Sequence, residues 1–385
     1  MNRRSTAVLK RCVGALALLI LLAPFAGARS EDGTLKITAY PISTRPVIVR
    51  PGDTFDMELR SVIDINSVRV WFSNEDVEEF QVFVSDKMDV FEVRDRSTFD
   101  LPSWDCVVEG WKMSWMWRPR TVVRDEVIVP VTLPEDVPEG FYDMRVVSSA
   151  GQDFSRRAVQ VISEFPEEYT IVKITDTHFG CSHRNGEEHM RIAAREINEL
   201  RPSFVMVTGD LTQDNFPHDH ESFVKDLDIF EVPTFVVGGN HDLGGKVYEG
   251  HADMLLYYGT PYYSFAFGDH HYQGIDNASR FFDEEHVQWM HEDLAAAQDR
   301  AMRIIFGHGM YLQSQEDTHW FNNELWDQYD VHLYLYGHWH RDIIETKRDG
   351  QTTWVCTAAI ADLPRYAVVE IADNEVVSVE HRTAE

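Results

Sequence analysis

Five short peptides in this chain place Asp, Asn and His directly after apolar runs of strand-like pattern. They are Asp176-Thr177-His178, Gly209-Asp210, Gly238-Gly239-Asn240-His241-Asp242, Gly307-His308 and Gly337-His338-Trp339-His340. Open α/β sheets gather ligands at the carboxyl ends of their strands, so such run-ends in series describe one polar site. Carboxylate, carboxamide and imidazole donors suit borderline divalent metals such as Mn, Fe, Zn or Co. No cysteine lies inside the peptides, which argues against a structural thiolate zinc site. The donors outnumber what one tetrahedral ion takes, but they suffice for two ions if one carboxylate bridges. Such a pair can clamp an in-line displacement at phosphorus. Taken singly, Gly-Asp or Gly-His at a strand end is an ordinary turn, because Gly supplies positive φ and Asp tolerates it. The ordered set carries the reading.

The elements that must position these peptides are legible around them. Strands are expected over 169–175, 204–208, 234–237, 304–306 and 332–336. A helix is expected over 187–200, with Met190, Ala193, Ala194, Ile197 and Leu200 on one stripe and Pro202 beyond its end. A second is expected over 220–230, with Phe223, Leu227 and Phe230 facing inward. A third runs over 284–298, with Val287, Met290 and Leu294 as its stripe and Asp283 as N-cap. Strand and helix therefore alternate from residue 166 to 385. Before that, 29–165 shows short strand-like runs at 35–40, 55–59, 68–72 and 80–84, turns such as Pro51-Gly52-Asp53, and no helical period. That pattern predicts an all-β, immunoglobulin-like sandwich, joined to the second domain by a linker over 164–168.

A chain of 385 residues with 44% apolar content can build two domains with sizeable cores. Its net charge of −29 argues against duplex nucleic acid and anionic membrane surfaces as partners. A small phosphate ester is not excluded, since bound cations reverse the local field. Residues 1–28 read as a signal peptide. Arg3, Arg4, Lys10 and Arg11 precede an apolar run over 13–25, and Ala26-Gly27-Ala28 is a small-residue cleavage pattern. The run is short for a membrane span. The expected product is exported, periplasmic or extracellular, with no membrane span once the leader is removed. Cys106, Cys181 and Cys356 remain, an odd count too widely spaced for a disulfide framework, so buried free thiols are expected rather than a Cys181–Cys356 bridge.

In order and approximate spacing, the five peptides resemble the D-x-H, G-D, G-N-H-D, H and G-H-x-H pattern of the calcineurin-like metallophosphoesterase superfamily, over about 169–379. The resemblance implies a four-layer αββα sandwich. It implies hydrolysis of a phosphate mono- or diester by a metal-bridging hydroxide, with two divalent metal ions as cofactors. Motif by motif, it implies that Asp176, His178, Asp210 and His340 hold one metal, that Asp210 bridges, and that Asn240, His308 and His338 complete the second. His241 would stay free of metal as general acid, Asp242 would orient and charge-stabilise it, and Trp339 would point away. Purple acid phosphatases place a tyrosine three residues after the bridging Asp; Gln213 stands there, so a ferric purple site is not expected, although a β-sandwich precedes the catalytic domain in that family too. Bacterial 5′-nucleotidases add a long domain after G-H-x-H, for which little chain follows His340. The closer resemblance is to the compact, cyclic-nucleotide-phosphodiesterase-like branch.

The remaining histidines and aromatics carry weaker expectations. His183, His218 and His220 are placed in loops near the site, His270-His271 in a turn, and His286 and His291 on a helix surface. The stretch 310–330 reads as a long connection carrying Tyr311, His319, Trp320, Phe321 and Trp326, and long connections above a site form lids or specificity walls. Trp104, Trp111, Trp115 and Trp117 are expected to fill the β-sandwich core. The alternative is a catalytically idle scaffold whose Trp-rich sandwich binds a glycan, polymer or protein partner.

Overall fold

The computed structural model describes residues 37–60, 67–84, 93–95, 125–149, 151–243, 254, 256–280, 282–310, 312 and 314–385. The leader, the Trp104, Trp111, Trp115 and Trp117 cluster, Cys106 and Tyr311 lie outside these residues.

Strands β1 (Thr38–Tyr40), β2 (Val47–Val49), β3 (Thr54–Arg60), β4 (Arg69–Ser73), β5 (Phe80–Val84), β6 (Val93–Asp95), β7 (Asp125–Thr132), β8 (Gly140–Ser148) and β9 (Gly151–Val161) form one nine-stranded sheet. Alternation drives its closure around a core. Phe55, Met57 and Leu59 of β3 face inward with Val70 and Phe72 of β4 and Tyr142, Met144 and Val146 of β8. The N-terminal region is thus β-rich, as expected.

From residue 169 the chain builds two mixed sheets. The first has the order β12 (Thr234–Val237), β11 (Phe204–Thr208), β10 (Tyr169–Ile174), β19 (Arg365–Ala372) and β20 (Glu375–Thr383), with β10, β11 and β12 parallel. The second has the order β13 (Tyr263–Phe267), β14 (His270–Gly274), β15 (Met302–Phe306), β16 (Leu333–Tyr336), β18 (Thr352–Cys356) and β17 (Ile343–Lys347), with β14, β15, β16 and β18 parallel. Their inner faces pack together through Ile171, Phe204, Met206 and Phe235 on one side and Tyr272, Ile304, Phe306 and Leu335 on the other.

Helices cover both outer faces. α1 (Gly186–Leu200) buries Met190, Ala193, Ala194 and Ile197 against the first sheet, and α2 (Pro217–Asp226) adds Phe223. α3 (Glu284–Ala296) covers the second sheet with Met290 and Leu294, and the Asp283 side chain caps it by accepting from His286 N. This is the expected four-layer αββα arrangement. No helix among the described residues is long and apolar enough to cross a membrane.

Several local expectations are corrected. The stretch expected as an open connection folds instead as α4 (Gln315–His319), a π-helical turn (Trp320–Leu325) and α5 (Trp326–Tyr329). Phe321, Leu325 and Trp326 are fully buried against Tyr334 and Trp354, so they help to hold the second sheet. His270 and His271 lie in β14 and are buried. His270 joins Tyr169 and Asn374, and His271 contacts Asp293 at 2.7 Å. His286 is buried under Tyr262, with ring centroids 4.2 Å apart, and His291 meets the Tyr329 hydroxyl. His220 lies inside α2, buried between Tyr258 and Asn215. Cys181 and Cys356 are free thiols, as expected, though Cys181 is only half-buried.

The β-rich region grips the two-sheet layers at β12, the edge strand of the first sheet. Val236 N donates to Thr44 O at 3.0 Å. Next to it, the buried Arg45 pairs with Glu58 at 2.8 Å, and its guanidinium lies over the Tyr40 and Tyr263 rings. Arg60 Nη2 donates to Leu256 O.

Candidate metal centre

All five peptides emerge at the carboxyl ends of parallel strands: β10, β11 and β12 in one sheet, β15 and β16 in the other. The two sheets converge there. Asp176 N donates to Gly209 O, His178 N to Asp210 O, and Gly337 N to His308 O, so neighbouring strand ends are laced by their own backbones.

The side chains are aimed by main-chain torsion. Asp176, His178, Asp210, His338 and His340 have φ of 55, 48, 51, 70 and 51°, all in the left-handed region. Each such residue costs about 1 kcal/mol or more, and Asp and His tolerate it better than branched residues do. The intervening glycines allow the close approach. A Cβ on Gly209 would lie 2.5 Å from the His308 ring, and one on Gly337 would lie 1.9 Å from Thr175 Oγ1.

Two clusters result, sharing Asp210. Asp176, His178, Asp210 and His340 each offer an atom within 4.8 Å of the others, and so do Asp210, His308 and His338. His340 Nε2 stands 3.2 Å from Asp176 Oδ1, and His308 Nε2 stands 3.2 Å from Asp210 Oδ2. The nitrogens His178 Nε2 and His340 Nε2 approach to 3.3 Å. Asp176 Oδ1, Asn240 Oδ1 and His308 Nε2 are buried without a well-directed hydrogen bond. Buried polar atoms are nearly always satisfied, so orphans of this donor chemistry, converging on shared points, fit two divalent cations. Asn240 lines the same cavity as His308 and His338, which puts it with the second cluster.

Neighbouring groups fix the orientation of the ligands. His308 Nδ1 donates to Thr208 O at 2.8 Å, which turns Nε2 toward Asp210. Asp176 Oδ2 accepts from Thr175 Oγ1 and His338 N, leaving Oδ1 for the cluster. Arg184 Nη1 donates to His340 Nδ1 at 3.1 Å and pairs with Asp362. Asn277 Oδ1 accepts from His308 N and Gly309 N, clamping the turn after β15. Beneath the site, the fully buried Lys173 donates to Tyr336 O and ties β10 to the end of β16; burial brings its pKa down to about 8.

Charge is strongly organised. Burial opposes ionisation of Asp210, but His308 beside it prevails and holds the carboxyl well below its ordinary range. Burial likewise opposes a charged His308, yet the Asp210 carboxylate raises it to about 9. His178 and His338 are pushed down to about 4, chiefly by burial.

His241 sits beside the clusters, its ring centroid 4.7 Å from that of His178. Its Nδ1 donates to Gln213 O at 2.7 Å, leaving Nε2 for a substrate. The role expected for Asp242 is corrected here. Its carboxylate turns inward and accepts from Gly239 N, Leu211 N, Thr212 N and Thr212 Oγ1, bracing two loops, while Gln213 orients His241. Burial and the Asp210 charge raise Asp242 to about 6. Trp339 does not turn away either, because it lines the cavity beside His338.

Residues 169–342 match the family model of calcineurin-like phosphoesterase. The chain carries a calcineurin-like phosphoesterase domain. Among solved structures it is similar to a purple acid phosphatase from yellow lupin (Lupinus luteus) seeds, at 15% identity and a TM-score of 0.52, covering 86% of this chain and 70% of that one. It is also matched by GAP50, the anchor in the inner membrane complex of Plasmodium, at 15% identity, a TM-score of 0.41, and 57% and 90% coverage. A putative 5′-nucleotidase from Staphylococcus aureus matches at 16% identity, a TM-score of 0.38, and 57% and 53% coverage. At such identities the lupin likeness is one of fold, and its extent reaches beyond the phosphoesterase domain into the β-rich region. No curated protein matches the chain by sequence.

The phosphoesterase domain thus brings together Asp176, His178, Asp210, Asn240, His241, His308, His338 and His340, and sets Asp242 behind them. Sequence reasoning missed Arg184, Arg280, Asn277 and Lys173. The two arginines follow the first motif and β14 in loops, where a lone cation gives no periodic signal. His183 and His218 are exposed.

Proposed function

We propose that the protein is an exported metal-dependent phosphoesterase that hydrolyses a phosphate mono- or diester. The reading takes 29–165 as a β-sandwich domain, 166–385 as the catalytic domain and 1–28 as the export leader. The observation that carries it is the convergence of orphaned, buried Asp, Asn and His atoms on two points that share Asp210. Asp176, His178, Asp210 and His340 would hold one cation, and Asp210, Asn240, His308 and His338 the other. Bound there, two divalent cations supply an activated water and neutralise phosphoryl charge. The chain's own part is positioning and proton transfer. His241, held through Nδ1 by Gln213 O, presents Nε2 to the leaving oxygen, and the protonated ring gives up its Nε2 proton there. Asp242 keeps the His241 turn in register with the Asp210 loop.

Full-length protein loaded in turn with Mn, Fe, Zn and Co is expected to hydrolyse p-nitrophenyl phosphate or its bis ester, and Asp210→Ala is expected to abolish turnover. Inactivity with every metal on both esters would overturn the reading in favour of an idle scaffold.

A further inference from the structure

Among the described residues, one guanidinium at the site has no acidic partner. Arg280 is exposed, and among the described residues no carboxylate pairs with it, although the chain carries 64 acids against 35 Lys and Arg. Its Nη2 donates instead to His338 Nε2 at 2.9 Å, which leaves Nδ1 as the ring atom of His338 for a cation. Arg184, by contrast, is matched by Asp362. Arg280 also lines a cavity of about 300 Å³ with Asn240, His308, His338 and Trp339, so its charge stands at the mouth of the second cluster.

Its placement is built into the fold. Arg280 adopts φ 59°, a left-handed conformation unusual for arginine, at the end of a turn closed by its N–H to Asn277 O. Asn277 is the residue that clamps His308 and Gly309. One short segment therefore sets both a candidate metal ligand and the guanidinium, and strain of this kind gathers at ligand clamps. A guanidinium with two directed donors matches phosphate oxygens better than a point charge does.

We propose that Arg280 anchors the phosphoryl group and makes this site select phosphate monoesters over diesters. The proposal rests on the phosphoesterase reading. A monoester carries two charges over three terminal oxygens, whereas a diester carries one charge over two. A cation at the mouth, beside the second cluster, has a charged oxygen to bind in the first case and meets an ester substituent in the second. Arg280 gives up only a hydrogen bond to His338 when it moves to that oxygen.

The test uses full-length, Mn-loaded protein and inorganic phosphate as the probe, read by titration calorimetry, with metal content measured in parallel. Arg280→Ala should weaken phosphate binding about 10- to 100-fold, the usual cost of losing a charge-assisted hydrogen bond, and Arg280→Lys should recover part of it. Both variants should keep the wild-type metal content. The ratio of kcat/KM for p-nitrophenyl phosphate to that for bis-p-nitrophenyl phosphate should fall by a similar factor in Arg280→Ala. Phosphate affinity within twofold of wild type, loss of metal in the variants, or an unchanged ratio would overturn the proposal while leaving the phosphoesterase reading intact. Arg280-dependent phosphate binding by a protein that hydrolyses no ester would instead sink the phosphoesterase reading and, with it, the selectivity, leaving Arg280 as an anion site.

Discussion

His308 and Asp210 govern how the centre fills. The Asp210 carboxylate outweighs burial and keeps a proton on His308 up to about pH 9. A cation can take the ring nitrogen only after that proton leaves, so metal affinity should rise about tenfold per pH unit below 9 from this residue alone. Calorimetric titration with Zn at several pH values, in buffers of different protonation enthalpy, should show that rise and a released proton; a pH-independent affinity would refute it. His178 and His338, already neutral above about pH 4, add nothing to this slope. In chelated protein the same contact stabilises the fold fully below about pH 6.5 and is lost as pH rises through 9, so its Tm should fall across that window. The convergence of these residues was legible in the sequence because each is tied to a strand end. The partner of His241 was not, since adjacency to Asp242 says nothing about direction. The short turn over His241–Leu243 sends Asp242 inward to Leu211 and Thr212 and leaves the ring to Gln213.

Strand ends and their glycines, more than side-chain rotamers, set the distances in the site. In Gly337→Ala the new Cβ would collide with Thr175 Oγ1 at 1.9 Å and crowd Asp176 Oδ2 at 2.8 Å, forcing β10 and β16 apart. The variant should lose about 1–3 kcal/mol, the usual range for overpacking, and bind less than the full metal complement. Denaturant melts and metal analysis would show it, and a variant with unchanged metal content would contradict it. Helices with one clean stripe were legible to within a residue or two, as Gly186–Leu200 was, because its apolar stripe runs up to the Pro202 stop. The segment Gln315–Tyr329 was not, because α, π and α turns follow one another and the apolar spacing of Phe321, Leu325 and Trp326 slips out of a 3.6 period. His270 and His271 misled for a related reason. Their satisfying partners, Tyr169, Asn374 and Asp293, are distant in sequence, so buried histidines looked like a turn.

Across the whole molecule, the β-rich pattern of the N-terminal part and the alternation that follows it were legible, but the grip between the two parts was not. Thr44 and Val236 have no local signal that would announce their hydrogen bond. Arg45 lies at that junction, buried with Glu58 and packed on Tyr263. Arg45→Ala would remove the guanidinium that pairs with the buried Glu58 at 2.8 Å, and breaking a buried pair of this kind should cost about 3–5 kcal/mol. Calorimetry should show both parts melting together at a lower temperature, and a variant in which they melt independently would show that the grip is weak. Thr44 also stands against the outermost strand of the first sheet, the one that leads into Asn240 and His241. A chain begun at residue 166 would keep every donor of the centre, and the Val236 carbonyl would keep Tyr263, but the Val236 amide on this edge strand would lose its partner. The β-rich half is in this sense a bumper: its Thr44 carbonyl occupies the edge amide on which another copy could begin to pair.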